Sequence, residues 1–341
     1  MTNDPHRESG PRPFEQMQRM ISGHFLAQCL HAAAVLGIAD LIEQGQTSLD
    51  ELAAATRQNR PSLLRLLRTL SSVGVLGEQP NNQFLLTPLG STLRTDAPDS
   101  VRDMAIFMSS EPIWRSWGSL LDCLKLGQPS FPQLYHSTMY QYLTQHAELG
   151  AAFNRFMTAQ SELHNAAVVN AYDFSGIQIL IDVGGGHGAT LSAILSRYPQ
   201  MKGIVFDLPE VIAAAGSESQ ELAERCQFVG GDMLERVPAG GDAYLIKRVL
   251  MDRSDEEAIA VLGHCRAAVD PGGKILVIDP MLPASNEPHP NWFMDMHMLV
   301  VHGGACRTEM QFRSLLDLVG LQVLRVIRTR SPNFIIECKR H

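Results

Sequence analysis

No apolar run in the sequence approaches the length of a membrane-spanning helix, which needs about 18 residues. The first residues are polar and include acids, which is not the pattern of a secretory signal peptide. Basic residues are also in short supply: 28 Lys and Arg face 36 Asp and Glu, for a net charge of −8. This balance argues against nucleic acid as the main partner. We therefore expect a soluble, cytoplasmic protein with neither a nucleic-acid nor a membrane partner.

Cysteine is scarce, and its spacing excludes two further classes of protein. The six cysteines lie far apart at Cys29, Cys123, Cys226, Cys265, Cys306 and Cys338. No two of them form a C-x-x-C pair, so we expect reduced thiols rather than a disulfide framework, and no zinc or other metal site.

The most informative stretch surrounds residues 179–195. An apolar run leads into Asp182 and Val183, and four of the five residues in Gly184–Gly188 are glycines. Apolar residues then recur at helical spacing. This pattern predicts a buried strand, a tight turn and the start of a helix. Glycines there allow a ligand to approach the backbone, and the helix start offers unpaired N–H groups to it.

Two ligands fit this turn. Gly184-x-Gly186-x-x-Ala189 matches the dinucleotide fingerprint, whereas Asp182 followed by G-x-G-x-G matches the loop that binds S-adenosylmethionine (SAM). Asp207 ends the next predicted strand, and a carboxylate there can bind a ribose diol in either case. The step Gly231-Asp232-Met233 favours SAM, because its acid can bind an adenine amino group and its methionine can pack on the ring.

Strands and helices alternate from residue 179 onward, which predicts a mostly parallel sheet with helices on both faces. Ligands of such sheets bind beyond the carboxyl ends of the strands. The predicted strands are Ile179–Val183, Gly203–Phe206, Gln227–Val229, Ala243–Arg248, Lys274–Ile278, Val323–Arg328 and Phe334–Cys338.

The N-terminal part has the outline of a winged helix: helix, turn, helix and β-hairpin. Ser48 and Glu51 form a predicted capping box, and the second helix carries Arg60, Arg65 and Arg68. DNA binding is one hypothesis for this outline. The density of leucines and the lack of a base-reading Asn or Gln favour a packing or dimer-forming module instead.

Several motifs now stand in a characteristic order: Asp182–Gly188, Phe206–Pro209, Gly231–Met233, Lys247 and Pro271–Ile275, with Phe153–Met157, Asp295–Leu299 and Arg307–Phe312 as further segments. In this order they resemble the small-molecule O-methyltransferases related to plant caffeate enzymes, a group that includes bacterial natural-product methyltransferases. The resemblance implies a Rossmann-like class I methyltransferase domain, with a mostly parallel seven-stranded sheet whose last strand is reversed. By the same resemblance, the SAM contacts are Asp182, Gly184, Gly186, Asp207, Leu208, Asp232, Met233 and Lys247.

The resemblance also implies a homodimer formed through N-terminal helices and a small hydrophobic substrate. We divide the chain into a disordered lead-in (1–13), a helical winged-helix-like dimerisation domain (14–98), a helical linker and substrate-pocket segment (99–176) and a SAM-binding Rossmann-like domain (177–341). The predicted lining of the substrate pocket is rich in methionine and comprises Trp114, Phe153, Met157, Met251, Trp292, Met296 and Met298.

The sequence departs from the family pattern at the catalytic position. Relatives carry a histidine base four residues after the lysine, where this chain has Met251, and a thioether cannot accept the proton. The supporting glutamate is also replaced, because Cys306 stands before Arg307.

Three explanations follow from this departure. Methyl transfer could rely on proximity alone, to a hydroxyl or an acidic carbon that ionises easily. Alternatively, His297 or His302 could serve as the base. Finally, the protein could bind SAM as a cation and catalyse a rearrangement, pericyclic or hydroxylation step without transferring the methyl group.

Overall fold

We describe the protein from a computed structural model that defines residues 12–215, 224–285 and 287–341. These residues form two compact units. The first contains the described residues up to Trp114 together with His146–Phe156, and the second contains Arg115–Gln145 and the described residues from Met157 to His341. The predicted lead-in falls largely outside the described residues, and the predicted division into four segments stays a prediction.

The first unit is mostly helical. It contains α1 (Pro13–Ile21), α2 (Gly23–Val35), α3 (Ile38–Glu43), α4 (Leu49–Thr56), α5 (Arg60–Ser72), β1 (Leu76–Gln79), β2 (Gln83–Leu86), α6 (Pro88–Ser91) and α7 (Arg102–Met108). Two further helices, α8 (Glu111–Gly118) and α12 (Ala147–Ala171), contribute residues to both units. Leu52, Leu67, Leu70 and Phe84 are fully buried in its core.

Local sequence signals explain how this unit folds. The Ser48 hydroxyl accepts a hydrogen bond from the Glu51 N–H (3.2 Å), and the Glu51 carboxylate accepts one from the Ser48 N–H (2.9 Å). This is the predicted capping box, and it satisfies two of the backbone donors that a helix start leaves unpaired. The predicted hairpin is also present, with β1 and β2 antiparallel and Leu76 opposite Leu86.

The second unit contains the central sheet. Its strands are β3 (Ile179–Val183), β4 (Lys202–Asp207), β5 (Cys226–Gly230), β6 (Ala243–Lys247), β7 (Lys274–Leu282), β8 (Arg307–Thr308), β9 (Leu321–Arg328) and β10 (Asn333–Arg340). Its helices are α9 (Leu120–Leu126), α10 (Ser130–Tyr135), α11 (Met139–Gln145), α13 (Ala189–Arg197), α14 (Pro209–Ala214), α15 (Asp255–Ala268), α16 (Asn291–Val301) and α17 (Glu309–Leu318), and a short 3-10 turn spans Leu250–Asp252.

The strand order in the sheet is β5-β4-β3-β6-β7-β10-β9, and the two-residue strand β8 pairs with β7 outside that path. β10 is antiparallel to both of its neighbours, while the pairs from β5 to β7 are parallel. The seven predicted strands and the reversed last strand are therefore confirmed. Several boundaries differ from the prediction: β7 extends to Leu282 and β9 begins at Leu321. β6 is shorter than predicted and ends at Lys247, because Arg248 has a positive φ of 56° and leaves the extended conformation.

The central strands β3, β6 and β7 are buried on both faces, which explains why they are almost continuously apolar. Ile181, Tyr244 and Val277 belong to the core on one face, and Leu180, Leu245 and Leu276 belong to the core on the other. Most polar side chains of the predicted site consequently lie at strand ends or in the loops after them.

Candidate functional site

The glycine loop after β3 can be formed only by small residues. Gly184, Gly186 and Gly188 have positive φ values of 71°, 58° and 82°. A Cβ atom on Gly184 would lie 2.5 Å from Val249 Cγ2, and one on Gly185 would lie 2.8 Å from Asp182 Cγ. The loop therefore keeps its backbone bare at the carboxyl edge of the sheet, where a ligand can contact it.

Asp207 closes β4 beside this loop. One of its carboxylate oxygens accepts a hydrogen bond from the Gly186 N–H (2.8 Å), and the other accepts one from the Leu208 N–H (2.7 Å). Burial raises the pKa of Asp207, and these two N–H donors lower it. The carboxylate is thus held in a fixed orientation, which suits recognition of a ribose diol.

Asp232 and Met233 follow β5 at the same edge. The Gly231 N–H donates to the Asp207 carbonyl (2.9 Å), and the Asp232 carboxylate accepts from the Leu234 N–H (2.8 Å). Met233 is buried, and its Cε lies 3.3 Å from the point where a Cβ on Gly184 would stand. The structure therefore brings these two residues together with the glycine loop.

Asp182 and Lys247 end neighbouring strands and act on each other electrostatically. Asp182 is only 1% exposed, and its Oδ2 has no hydrogen-bond partner among the described residues. Burial raises the pKa of Asp182, an effect that the Lys247 charge opposes. Burial lowers the pKa of Lys247, and the Asp182 charge opposes that shift in turn. A buried, unsatisfied carboxylate oxygen is a group that a polar ligand would complete.

Met251 lies in the 3-10 turn after β6, at the position where the family resemblance predicts the base. It is 2% exposed and packs in a small buried cluster with Leu282, Met298 and Cys306. Cys306 therefore contributes to the packing around Met251, and burial raises the pKa of its thiol to about 12. No side chain in this cluster accepts a proton near neutral pH.

His297 is buried on α16 and has its acceptor nitrogen occupied. The Trp117 indole N–H donates to His297 Nδ1 at 3.2 Å, and the two rings are nearly parallel. Neutral imidazole has one acceptor and one donor nitrogen, so Nε2 must carry the proton. Burial lowers the pKa of His297 to about 4. In this arrangement His297 can donate a hydrogen bond but cannot take up a proton without losing its contact with Trp117.

His302 lies just past the end of α16 among polar neighbours. Its ring stands 5.5 Å from the Tyr140 ring and 6.4 Å from the His297 ring, centroid to centroid. The Tyr140 hydroxyl donates to Asp252 at 2.6 Å. Burial lowers the pKa of His302, and the Asp252 charge opposes this shift. The structure thus brings the two predicted histidines together.

The residues of the predicted substrate lining have different environments. Trp114 and Phe153 belong to the first unit, where their rings contact His24 and Phe107 respectively. In the second unit, Met298 packs with Met251, while Met157 and Met296 are half-buried. Trp292 is 36% exposed, and its indole N–H donates to the Glu287 carbonyl (3.1 Å). Their assignment to one pocket stays a prediction.

Sequence reasoning missed three polar side chains near the end of β6. The side chains of Arg248, His164 and Asp279 each have a buried polar atom without a hydrogen-bond partner among the described residues. Asp279 had a signal, since an acid inside an otherwise apolar strand is unusual. His164 had none, because a histidine on a helix face resembles ordinary core filling.

Three further features of the described residues bear on the predictions. They contain no helix long and apolar enough to span a bilayer. They contain no cluster of three or more His, Cys, Asp or Glu side chains that could hold a metal ion. All six cysteines are unpaired.

The geometry fits bound SAM at the edge formed by β3, β4, β5 and β6. Asp207 and Leu208 would hold the ribose, Asp232 and Met233 the adenine, and the glycine loop with Asp182 and Lys247 the methionine end. The bare loop and the orphaned Asp182 oxygen are the observations that support this fit. The fold and this site define a class I SAM-dependent methyltransferase, with a mixed central sheet and an N-terminal helical dimerisation domain.

Comparison with known proteins gives the family. Residues 117–322 match the O-methyltransferase domain, and residues 18–96 match the O-methyltransferase dimerisation domain. The chain belongs to the O-methyltransferase family. The expected resemblance is thereby confirmed, and SAM is the cofactor.

Similar proteins methylate aromatic natural products. The chain is 39% identical over 323 residues to the phenazine O-methyltransferase PhzM of Lysobacter antibioticus, with 94% of each chain covered. It is 37% identical to the 3-amino-4-hydroxybenzoate 4-O-methyltransferase of Streptomyces cremeus, covering 89% of this chain and 84% of the relative. The crystal structure of LaPhzM superposes with a TM-score of 0.92 at 38% identity, covering 97% of this chain and 100% of that one. The structure of NcsB1 with SAM and 2-hydroxy-5-methyl naphthoic acid gives a TM-score of 0.82 at 30% identity, with 93% and 96% covered.

Proposed function

We propose that this enzyme transfers the SAM methyl group to a hydroxyl, or to an acidic carbon, of a hydrophobic aromatic or polyketide-like secondary metabolite. We propose further that it does so by proximity and orientation. The observation that carries this second part is Met251, a buried thioether at the position of the missing base. The named substrates of relatives, a hydroxybenzoate and a hydroxynaphthoic acid among them, are planar rings with an ionisable oxygen and support the first part.

Orientation can supply much of the catalysis. When bound, SAM supplies a methyl group already activated by its sulfonium charge. The contribution of the chain is to hold the acceptor oxygen in line and to exclude water, which can lower the barrier by as much as about 7–11 kcal/mol. The burial of Met251, Met298 and Cys306 keeps one side of this region dry. An acceptor that is already ionised at neutral pH needs no protein base.

For less acidic acceptors we assign the proton to His302 rather than to His297. Burial lowers the pKa of both histidines and the Asp252 charge opposes both shifts, so the difference lies in the hydrogen bonds. The acceptor nitrogen of His297 is bonded to the Trp117 indole, and among the described residues no such bond holds His302. His302→Gln should therefore lower kcat for weakly acidic phenols about 10-fold or more and leave acidic phenols almost unaffected. An equal loss for both substrate classes would point to a structural role.

The reaction itself is tested with SAM that carries a deuterated methyl group. The purified protein would be incubated with hydroxybenzoate, hydroxynaphthoate and hydroxyphenazine acceptors, and both products would be measured by mass spectrometry. We expect a deuterated methyl group on the acceptor in equal amounts with S-adenosylhomocysteine. Product that forms while SAM stays intact would overturn the proposal and would favour the non-methylating alternative.

The role of residue 251 is tested by a matched pair of variants. Met251→Leu keeps the apolar volume, so activity should stay within about threefold of wild type if proximity suffices. Met251→His should raise activity toward weakly acidic phenols or leave it unchanged. A collapse of activity in Met251→Leu would mean that the sulfur atom itself takes part.

We also propose that the enzyme is a homodimer formed through α1 and α2. Large apolar side chains on these helices are exposed, including Phe14 (74%), Ile21 (67%) and Phe25 (63%). An apolar surface of this kind favours association with a partner. The match to a dimerisation domain over residues 18–96 supports a second copy of this chain as that partner.

A further inference from the structure

Two arginines after β6 are half-buried, and part of each guanidinium group is shielded from solvent. The Nε atoms of Arg248 and Arg253 are buried, and neither side chain has a hydrogen bond or an ion pair with a described residue. Arg307 lies in the same region and differs: it bonds to the Asp255 carboxylate and to the backbone carbonyls of Leu250 and Arg253. A buried donor without a partner costs about 1–3 kcal/mol, so this arrangement favours an anion that completes it.

The backbone at Arg248 is also unusual. Its φ of 56° lies in the left-handed region, and its N–H donates to the Ile278 carbonyl at 2.8 Å. The other described non-glycine residues with positive φ either end a helix or lie in the hairpin turn, namely Arg57, His136, Asn81 and Asn82. No helix end or hairpin turn explains the positive φ of Arg248. Backbone strain that local structure does not require is concentrated at functional sites.

His164 adds a neutral hydrogen-bonding group to these cations. Its Nδ1 is buried without a partner, and burial lowers the pKa of the imidazole to about 4, with the Arg248 and Lys247 charges adding to the shift. The neighbouring Asn165 accepts a hydrogen bond from the Thr190 hydroxyl (3.0 Å) in the first turn of α13. His164 is therefore fixed beside the helix that follows the glycine loop, close to both basic residues.

The nearby acids do not neutralise this cluster. Asp279 is 1% exposed, and neither of its oxygens is hydrogen-bonded to Arg248. Burial raises the pKa of Asp279 to about 8, although the Arg248 charge lowers it, so this carboxyl is largely protonated at neutral pH. Asp252 accepts the Tyr140 hydroxyl, which leaves its charge in place, so this carboxylate can balance one of the two arginines. Asp182 faces Lys247. A net positive charge remains around Arg248.

Building on the proposed function, we propose that Arg248, with His164 beside it, binds a carboxylate group. Guanidinium groups are the side chains best suited to pair with a carboxylate through two parallel hydrogen bonds. Two molecules could supply this group: an aromatic acid that serves as methyl acceptor, or the methionine end of SAM. The chemistry is the same, and two series of measurements separate the sources.

The first series uses Arg248→Gln and two nucleosides. S-adenosylhomocysteine carries the amino-acid carboxylate, whereas 5′-methylthioadenosine lacks it. If the site binds the cofactor carboxylate, titration calorimetry should show roughly 10- to 100-fold weaker binding of S-adenosylhomocysteine and unchanged binding of 5′-methylthioadenosine. Glutamine is compatible with the same backbone conformation as arginine, so the comparison isolates the charge.

The second series compares an acidic acceptor, such as 3-amino-4-hydroxybenzoate, with its methyl ester. If the site binds the acceptor, Arg248→Gln should raise the KM for the acid by roughly 10- to 100-fold and leave the KM for the ester within about twofold. His164→Gln should raise the ratio of the KM for the acid to the KM for the ester as well, by a smaller factor. This second variant keeps the test valid if Arg248→Gln has a local folding defect.

Arg340→Gln is the matched control, because the Nε of Arg340 is likewise buried without a partner but its Nη2 donates to the Ala267 carbonyl. Neither ratio should change in that variant. If Arg248→Gln leaves both the nucleoside ratio and the acid-to-ester ratio unchanged, the carboxylate site is overturned. If the wild-type protein binds S-adenosylhomocysteine but methylates none of the acceptors, the proposed function is contradicted but the carboxylate site is not. The comparison of the two nucleosides would then still test the carboxylate site.

Discussion

Both carboxylate oxygens of Asp207 accept backbone N–H groups, one from Gly186 and one from Leu208. The acid therefore holds the glycine loop against the end of β4 as well as offering lone pairs to a ribose. At the scale of single residues, this dual role makes Asp207 the most sensitive point of the predicted cofactor site. Its position at a strand end is what made it predictable from the sequence.

We expect Asp207→Ala to weaken binding of S-adenosylhomocysteine roughly 10- to 100-fold, because one charged acceptor and two backbone hydrogen bonds are lost together. Titration calorimetry measures the effect directly. Asp317→Ala is the control, since Asp317 is an acid on α17 whose side chain is 82% exposed. Unchanged affinity in Asp207→Ala would remove this residue from the site.

Other site residues could not be predicted at this scale. Arg248 follows Lys247 directly and seemed to continue the strand, and only its positive φ takes its side chain out of the strand alternation. The side-chain environment of His164 depends on how α12 packs against α13, which no local pattern encodes. The bond between Trp117 and His297 joins residues 180 positions apart in the chain. Contacts of such long range decide which histidine can take a proton.

Elements were predicted better than contacts. The central parallel strands β3, β6 and β7 are buried on both faces, so their apolar runs are long. The residues Asp207, Gly231 and Lys247 mark the ends of β4, β5 and β6. The two-residue strand β8 carries no such run and was missed. The segment expected to be helical over residues 99–176 is divided into several helices, among them α8 and α9, which are separated at Ser119.

The glycine loop gives a prediction at the scale of an element. Gly184→Ala combines a positive φ with a Cβ that would lie 2.5 Å from Val249 Cγ2, whereas a Cβ on Gly186 meets no atom within 4 Å. Gly186→Ala should therefore lower the unfolding free energy by only about 1 kcal/mol, the cost of holding alanine in a left-handed backbone conformation. Gly184→Ala should lower it clearly more, because of the added clash. Chemical denaturation of both variants tests this order. Equal losses would mean that Val249 moves aside freely.

The proposed dimer is a property of α1 and α2. Ile21→Glu combined with Phe25→Glu places two charges on the exposed apolar surface, so we expect light scattering after gel filtration to give the mass of a monomer. Leu121→Glu is the control, because Leu121 is 81% exposed on α9 in the other unit. A wild-type protein that is already monomeric would contradict the proposal, as would a double variant that stays dimeric.

At the scale of the whole molecule, the buried histidines connect the candidate site to stability. Burial lowers the pKa of His297 to about 4, while histidine in an unfolded chain titrates near 6.5. Between these pH values the unfolded chain binds a proton that the folded protein excludes. The stability associated with His297 is therefore fully present above about pH 6.5 and is lost as the pH falls toward about 4.

We expect this loss to reach as much as about 3 kcal/mol for His297, since one pKa unit corresponds to about 1.4 kcal/mol. Wild type should lose more unfolding free energy than His297→Gln when the pH falls from 7.5 to 4.5. The difference between the two proteins should be a large part of these roughly 3 kcal/mol, or about 2 kcal/mol. Urea unfolding followed by circular dichroism at both pH values gives the comparison, with the urea dependence of each transition checked for a single cooperative step.

Trp117→Phe is the matched variant: it removes the indole donor but keeps the imidazole, so the pH dependence should persist because burial is its first cause. If His297→Gln keeps the full wild-type pH dependence, then His297 already binds its proton in the folded protein, and the tautomer that excludes it as a base would have to be abandoned.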